Sequence, residues 1–208
     1  MHLLLTDLLI CPRCGPAFGL ILLGERIEDR RILEGELGCP NCRERFPVRE
    51  GFGDLRAPPR EPLRRLPVLP DEADPDRTTR LAALLGVTRG PGHLVLVGRP
   101  ARHARALAAM LEEVEVVGVA PSLRGWGEEP GVSRVAAGPG LPFFSGRIRG
   151  VVLSGPGSEP LLDDAARVVG PGSRVVVLDA PTEARGRLEG AGLSPVLDEA
   201  GVVVGVRE

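Results

Sequence analysis

Four cysteines are the residues best placed to do chemistry in this chain of 208 residues, and it has no others. They stand as Cys11-Pro12-Arg13-Cys14 and Cys39-Pro40-Asn41-Cys42. Each knuckle spaces two thiolates so that both sulfurs can face one ion, and the pair of knuckles closes a tetrahedral shell. A closed shell leaves no position for water or substrate, so a zinc ion held there is structural. Two disulfides, or a redox CxxC, are the alternative. The repeated C-P-x-C pattern and the lack of any secretory context favour metal.

Other reactive side chains are scattered. His103 falls in the first turn of an expected helix and reads as a surface histidine; His93 starts a strand and His2 sits near the first residue. Ser154 ends a strand with no histidine placed for it, so no Ser-His-Asp set is expected. Glu159, Asp163 and Asp164 read as a solvated helix face. Asp179 ends a strand, where it either reaches a crevice at the carboxyl edge of a sheet or caps the next helix. Trp126, the sole Trp, is a core plug over a pocket or an exposed contact. No catalytic residue is nominated.

Composition narrows the chemistry further. All 26 basic residues are Arg, and Lys and Tyr are absent, which excludes a Schiff-base or Walker lysine and a tyrosine acid. A net charge of −2 gives no global attraction to nucleic acid or membrane. The apolar first ten residues lack a basic leader and run straight into Cys11, and no apolar run reaches the roughly 18 residues of a membrane helix. A cytoplasmic protein is expected.

The elements that must position the cysteines are short. Residues 3–10 suit a helix or turn, 18–23 and 32–37 strands, 24–31 a charged hairpin tip, and 45–49 a strand leaving the second knuckle. Residues 50–55 read as a turn away from it. Such a ribbon has little core of its own, so zinc supplies much of its folding energy, on the order of 10 kcal/mol. Residues 56–76, rich in Pro and Arg, read as a linker, with Arg60, Arg64 and Arg65 a solvated tether or a small binding patch.

From residue 77 short β-branched runs alternate with helices. Helices are expected at 78–85 (capped by Asp76 or Thr78), 101–113, 159–169 and 182–190. Strands are expected at 93–98, 115–120, 132–136, 149–154 and 173–179, with a terminal antiparallel pair at 193–197 and 202–207. That alternation predicts an α/β fold with a mostly parallel, Rossmann-like sheet.

A leucine-rich helix, CPxC, a charged hairpin, Gly35-Glu36-Leu37, CPxC, Phe46-Pro47-Val48 and Glu50-Gly51 together resemble the TRM one-twelve-like zinc ribbon over residues 1–55. The resemblance implies a small activator module that binds and stabilises methyltransferases, with zinc on Cys11, Cys14, Cys39 and Cys42. Residues 77–208 resemble a class I S-adenosylmethionine-dependent methyltransferase domain. Leu141-Pro142-Phe143, the segment 165–174 (AARVVGPGSR) and Ala191-Gly192-Leu193 carry that likeness.

The positions that would hold the cofactor are depleted. Gly98 survives from the glycines after the first strand, Ala120 stands where a carboxylate should hold the ribose, and Ala137 stands where an acid should precede Leu141-Pro142-Phe143. Arg99 and Arg102 put positive charge where a sulfonium would sit. The expectation is therefore a zinc-binding, non-catalytic protein that has lost S-adenosylmethionine and binds or stabilises a protein partner, such as a methyltransferase or translation component. An active methyltransferase with its activator fused in cis, and an RNA-binding module, are the rival readings.

Overall fold

The computed structural model describes residues 1–63, 73–155 and 158–208; Arg64 and Arg65 of the basic cluster lie outside them. The chain opens with a 3-10 helix, Leu3–Leu8, and then β1 (Ile10–Cys11), β2 (Gly15–Gly19), β3 (Ile21–Glu28), β4 (Arg31–Gly38), β5 (Arg45–Arg49) and β6 (Phe52–Leu55). The charges of β3 do not mark a long hairpin tip. The strand runs to Glu28, its second half exposed, and the tip is Asp29-Arg30 alone, both at positive φ.

The second half begins with α1 (Pro75–Leu85). Its cap is Asp74, whose side chain accepts from the amides of Asp76 and Arg77, rather than Asp76 or Thr78. Gly86 ends it in the left-handed conformation. There follow β7 (Arg89–Val97), α2 (Ala104–Met110), β8 (Glu112–Val119), β9 (Val132–Ala137), β10 (Ile148–Ser154), α3 (Leu162–Val168), β11 (Val169–Leu178), α4 (Ala184–Gly190), β12 (Leu193–Glu199) and β13 (Val202–Arg207). The expected helix at 101–113 is shorter than its apolar pattern suggested. A 3-10 turn, Arg99–His103, precedes α2, and Leu111 is already extended toward β8.

Eleven strands form one sheet in the order β12-β13-β11-β10-β7-β8-β9-β6-β5-β4-β3. Strands β9, β8, β7, β10 and β11 are mutually parallel, and β13 and β12 add antiparallel at one edge. The order reverses between β7 and β10, and ligands of such sheets bind beyond the strand ends at that reversal. No helix among the described residues is long and apolar enough to cross a membrane.

The largest departure from expectation is β6. Phe52-Gly53-Asp54-Leu55 is a strand, not a turn, and pairs in parallel with β9. Gly53 packs closely there: a Cβ at this position would come into van der Waals contact with Met1 Sδ at 3.4 Å and Val135 Cγ1 at 3.5 Å. The cysteine-bearing ribbon is thereby a continuation of the α/β sheet. Its apolar residues Leu5, Leu9, Ile32, Phe46 and Leu55 pack in one core with Val117, Val135 and Phe143 of the α/β half. Arg60 belongs to this body too. Its guanidinium donates to the carbonyls of Asp54 and Arg56 and lies 5.8 Å over the Phe46 ring, so it is not part of a solvated tether.

Candidate metal centre and ligand cleft

The four cysteine sulfurs lie within 4.8 Å of one another. Cys11 Sγ is 3.7 Å from Cys42 Sγ, and Cys39 Sγ is 3.8 Å from Cys14 Sγ. A zinc tetrahedron with bonds of about 2.3 Å has edges of about 3.8 Å. A disulfide needs about 2.05 Å, and all four cysteines are free thiols. The donor set therefore fits one zinc ion held by both knuckles. Asn41 Nδ2 donates to Cys14 Sγ at 3.4 Å, the outer-shell contact that orients a thiolate. Burial pushes the Cys11 thiol up to about 12. Burial also opposes ionisation of Cys39, but the amides of Cys42 and Asn41 hold that thiol at about 7. Metal binding must displace these protons.

Two further contacts lock the ribbon to the α/β half. The Leu141-Pro142-Phe143 segment runs against the first knuckle: Ile10 N donates to Pro142 O at 2.9 Å and Phe144 N to Leu8 O at 2.9 Å. Asp164 and Arg167 of α3 hold that segment in place, Asp164 accepting from Leu141 N at 3.0 Å and Arg167 donating to Phe143 O at 2.7 Å. Asp164 is thus a structural anchor and not part of a solvated face.

The other lock is a buried charge cluster. Arg31, at the start of β4, donates to Glu115 Oε1 at 2.7 Å and to Glu128 Oε2 at 3.0 Å. Arg134, in the middle of β9 with its side chain 1% exposed, donates to Glu128 Oε1 at 2.7 Å and to Glu50 O at 2.6 Å. Its other guanidinium nitrogen donates to Trp126 O. Burial alone would raise the Glu128 pKa; the Arg134 hydrogen bond, the Met1 amino group and Arg31 outweigh it and hold the carboxyl below its ordinary 4.5. A depressed carboxyl stabilises the fold above its unfolded pKa and loses that contribution as pH falls through the folded value. The urea midpoint is therefore expected to drop as pH falls below 4.5. The drop should be smaller in Glu128→Gln, and an equal drop in both proteins would contradict the assignment.

A cleft of about 520 Å³ opens at the carboxyl ends of β7, β8, β9 and β10. It brings together Gly98, Ala120 and Ala137, the three positions singled out for a cofactor. Its walls include Val97, Val119, Leu141 and Leu153; Arg99 is its charged residue, and no carboxylate lines it among the described residues. Trp126 is buried, but it packs with Leu123 and Phe52 under Arg105, 4.7 Å from its ring, and so does not plug the cleft. His103 is buried rather than on the surface, its Nδ1 2.8 Å from Thr78 Oγ1. Ser154 donates to Asp179 directly at 3.2 Å, with no histidine between them. Asp179 does reach the crevice, lining a second cavity beside the first.

Arg134, Glu128 and Arg31 escaped the sequence reading. The one available signal was a lone charge at Arg134 inside the apolar run of β9.

Residues 2–51 match the family model "Trm112p-like protein". No curated protein matches the sequence. Among solved structures, geranyl diphosphate methyltransferase in complex with S-adenosylmethionine superposes with a TM-score of 0.50 at 13% identity, over 64% of this chain and 85% of that one. A chain from a complex containing the Haloferax volcanii Trm112 methyltransferase activator gives a TM-score of 0.48 at 17% identity, over 63% and 90%. The N-methyltransferase NodS from Bradyrhizobium japonicum gives 0.47 at 13%, over 64% and 96%. The chain thus carries a Trm112p-like segment at residues 2–51, with its four-cysteine cluster, joined to a fold of the class I methyltransferase type.

Proposed function

We propose that this chain is an activator-type zinc ribbon fused to its own methyltransferase-type domain, and that the fused pair works by binding rather than by methyl transfer. Zinc on Cys11, Cys14, Cys39 and Cys42 fixes the ribbon. The ribbon in turn stabilises the α/β half through β6, the segment 141–144 and the Glu128 cluster. The domains divide at residues 1–55, 56–76 and 77–208, although the sheet is continuous across them. The work falls in the cytoplasm, where thiolate ligands stay reduced, and its object is a protein partner of the kind that Trm112-type activators serve.

The single observation that carries this reading is the chemistry of the cleft. S-adenosylmethionine carries a cationic sulfonium and two ribose hydroxyls, and a site for it calls for carboxylates. Ala120 and Ala137 offer methyl groups instead, and Arg99 adds a like charge. The openness of the same cleft favours the rival reading, an active methyltransferase with its activator in cis. Calorimetric titration of the zinc-loaded chain with S-adenosylmethionine separates the two. No heat of binding is expected at millimolar ligand, and micromolar affinity would overturn the non-catalytic reading.

A further inference from the structure

The cleft does not end at Arg99. A second cavity of about 420 Å³ lies between α1, the Arg99–His103 turn and the ends of β11 and β13. Arg99 and Ser154 line both cavities, so the two adjoin at these residues. Each has the size of a small-molecule site, roughly 300–1,000 Å³.

The charge in the second cavity is one-sided. Arg77, Arg80, Arg99 and Arg102 line it, against Asp179 as its one carboxylate among the described residues. Arg77 pairs with Asp74 at 3.5 Å. Arg80, Arg99 and Arg102 have no acidic partner among the described residues, and Arg80 and Arg99 are exposed. Asp179 is engaged by the Ser154 hydroxyl. Burial, and then the charge of Arg102, lower the pKa of the neighbouring His103, so it stays neutral near pH 7. A chain with net charge −2 has gathered four guanidiniums around one concavity, against a single carboxylate among the described residues.

The other half of the joined cleft is apolar and lets backbone come close to a ligand. Gly98 and Gly155 line it at φ +69° and +74°, and a Cβ at either would meet no atom of the described residues within 4 Å. A guanidinium fork matches phosphate oxygens bidentately, and a flat heterocycle suits walls of Val97, Val119, Leu141 and Leu153.

We infer that the joined cleft binds a small phosphorylated ligand of the nucleoside phosphate class, with its base in the apolar half and its phosphates on Arg80, Arg99 and Arg102. The inference deepens the binding role proposed above and rests on it in one respect: the cleft is not reserved for S-adenosylmethionine.

The test is calorimetry on the zinc-loaded full chain with adenosine diphosphate, adenosine, pyrophosphate and S-adenosylmethionine as separate probes. Adenosine diphosphate is expected to bind with micromolar affinity that weakens as salt rises, and adenosine and pyrophosphate at least tenfold more weakly. Arg80→Ala/Arg99→Ala should weaken adenosine diphosphate at least tenfold at an unchanged thermal midpoint. Both side chains are exposed, so the variant folds; Arg80→Ala alone should give an intermediate loss. No binding of adenosine diphosphate, or binding unchanged in the double variant, would overturn the site. Pyrophosphate binding as tightly as the diphosphate would overturn the nucleoside half of the assignment. S-adenosylmethionine binding alongside adenosine diphosphate would overturn the non-catalytic reading and leave the phosphate site standing, whereas silence from both would overturn the phosphate site alone.

Discussion

Stripping zinc from the full chain with a thiol-competing chelator is expected to unfold the ribbon and to lower the thermal midpoint of the whole protein by roughly 10–20 °C. The size follows from the site. Four thiolates at one ion supply on the order of 10 kcal/mol of folding energy in isolated zinc modules. Here part of that is replaced by the core that the ribbon shares with Val117, Val135 and Phe143. A net loss of about 5 kcal/mol in a chain of this length corresponds to roughly 10–20 °C. The loss must spread beyond residues 1–55, because Ile10 and Leu8 hold the segment 141–144 and β6 covers β9. Cys39→Ser, which removes a buried ligand, should act like the chelator. Thermal unfolding followed by circular dichroism, with metal content measured alongside, checks this. A metal-free protein melting at the original temperature would contradict it.

Arg134→Ala is expected to destabilise the chain by about 3–5 kcal/mol, because two carbonyls lose their donor at roughly 1–3 kcal/mol each and Glu128 loses one of its three cationic partners. Arg134 is nearly inaccessible to solvent, and its guanidinium bridges Glu128, Glu50 O and Trp126 O across the junction. Its loss leaves the carbonyls of Glu50 and Trp126 without that donor, and leaves Glu128 to Arg31 and the Met1 amino group alone. The variant removes a link between the halves without touching the cleft, so it separates stability from ligand binding. Urea denaturation gives the measurement, and a loss under about 1 kcal/mol would mean that water satisfies the site. In the double variant Arg134→Ala/Glu128→Ala the loss should be less than the sum of the single losses, since each single change already removes the Arg134–Glu128 bond.

The four-cysteine cluster was legible in the sequence because its information is local. Each knuckle spans four residues, and the geometry of both is set by C-P-x-C alone. The parallel strands were legible for a similar reason, since Val-rich runs such as Arg149–Ser154 can only be buried between neighbours. What escaped depends on pairing over long distances. Phe52-Gly53-Asp54-Leu55 has the composition of a turn and becomes a strand because β5 and β9 take it up from either side; its strand state belongs to its partners more than to its own residues. Glu128 lies in a loop and Arg31 at a hairpin, ordinary places for solvated charges, and only the docking of the two halves buries them together. His103 was misplaced because the helix begins later than its apolar pattern implies, turning the ring inward onto Thr78.

The cis pairing of ribbon and α/β half is tested most directly by amide hydrogen exchange of the zinc-loaded chain. The amides of β6 and β9 that bond across Phe52–Leu55 and Val132–Ala137 should exchange together, and only by opening of the whole sheet. Chelation should release both strands in step. Rapid exchange of Phe52–Leu55 while Val132–Ala137 stays protected would contradict the account: the ribbon would then hang free of its own α/β half.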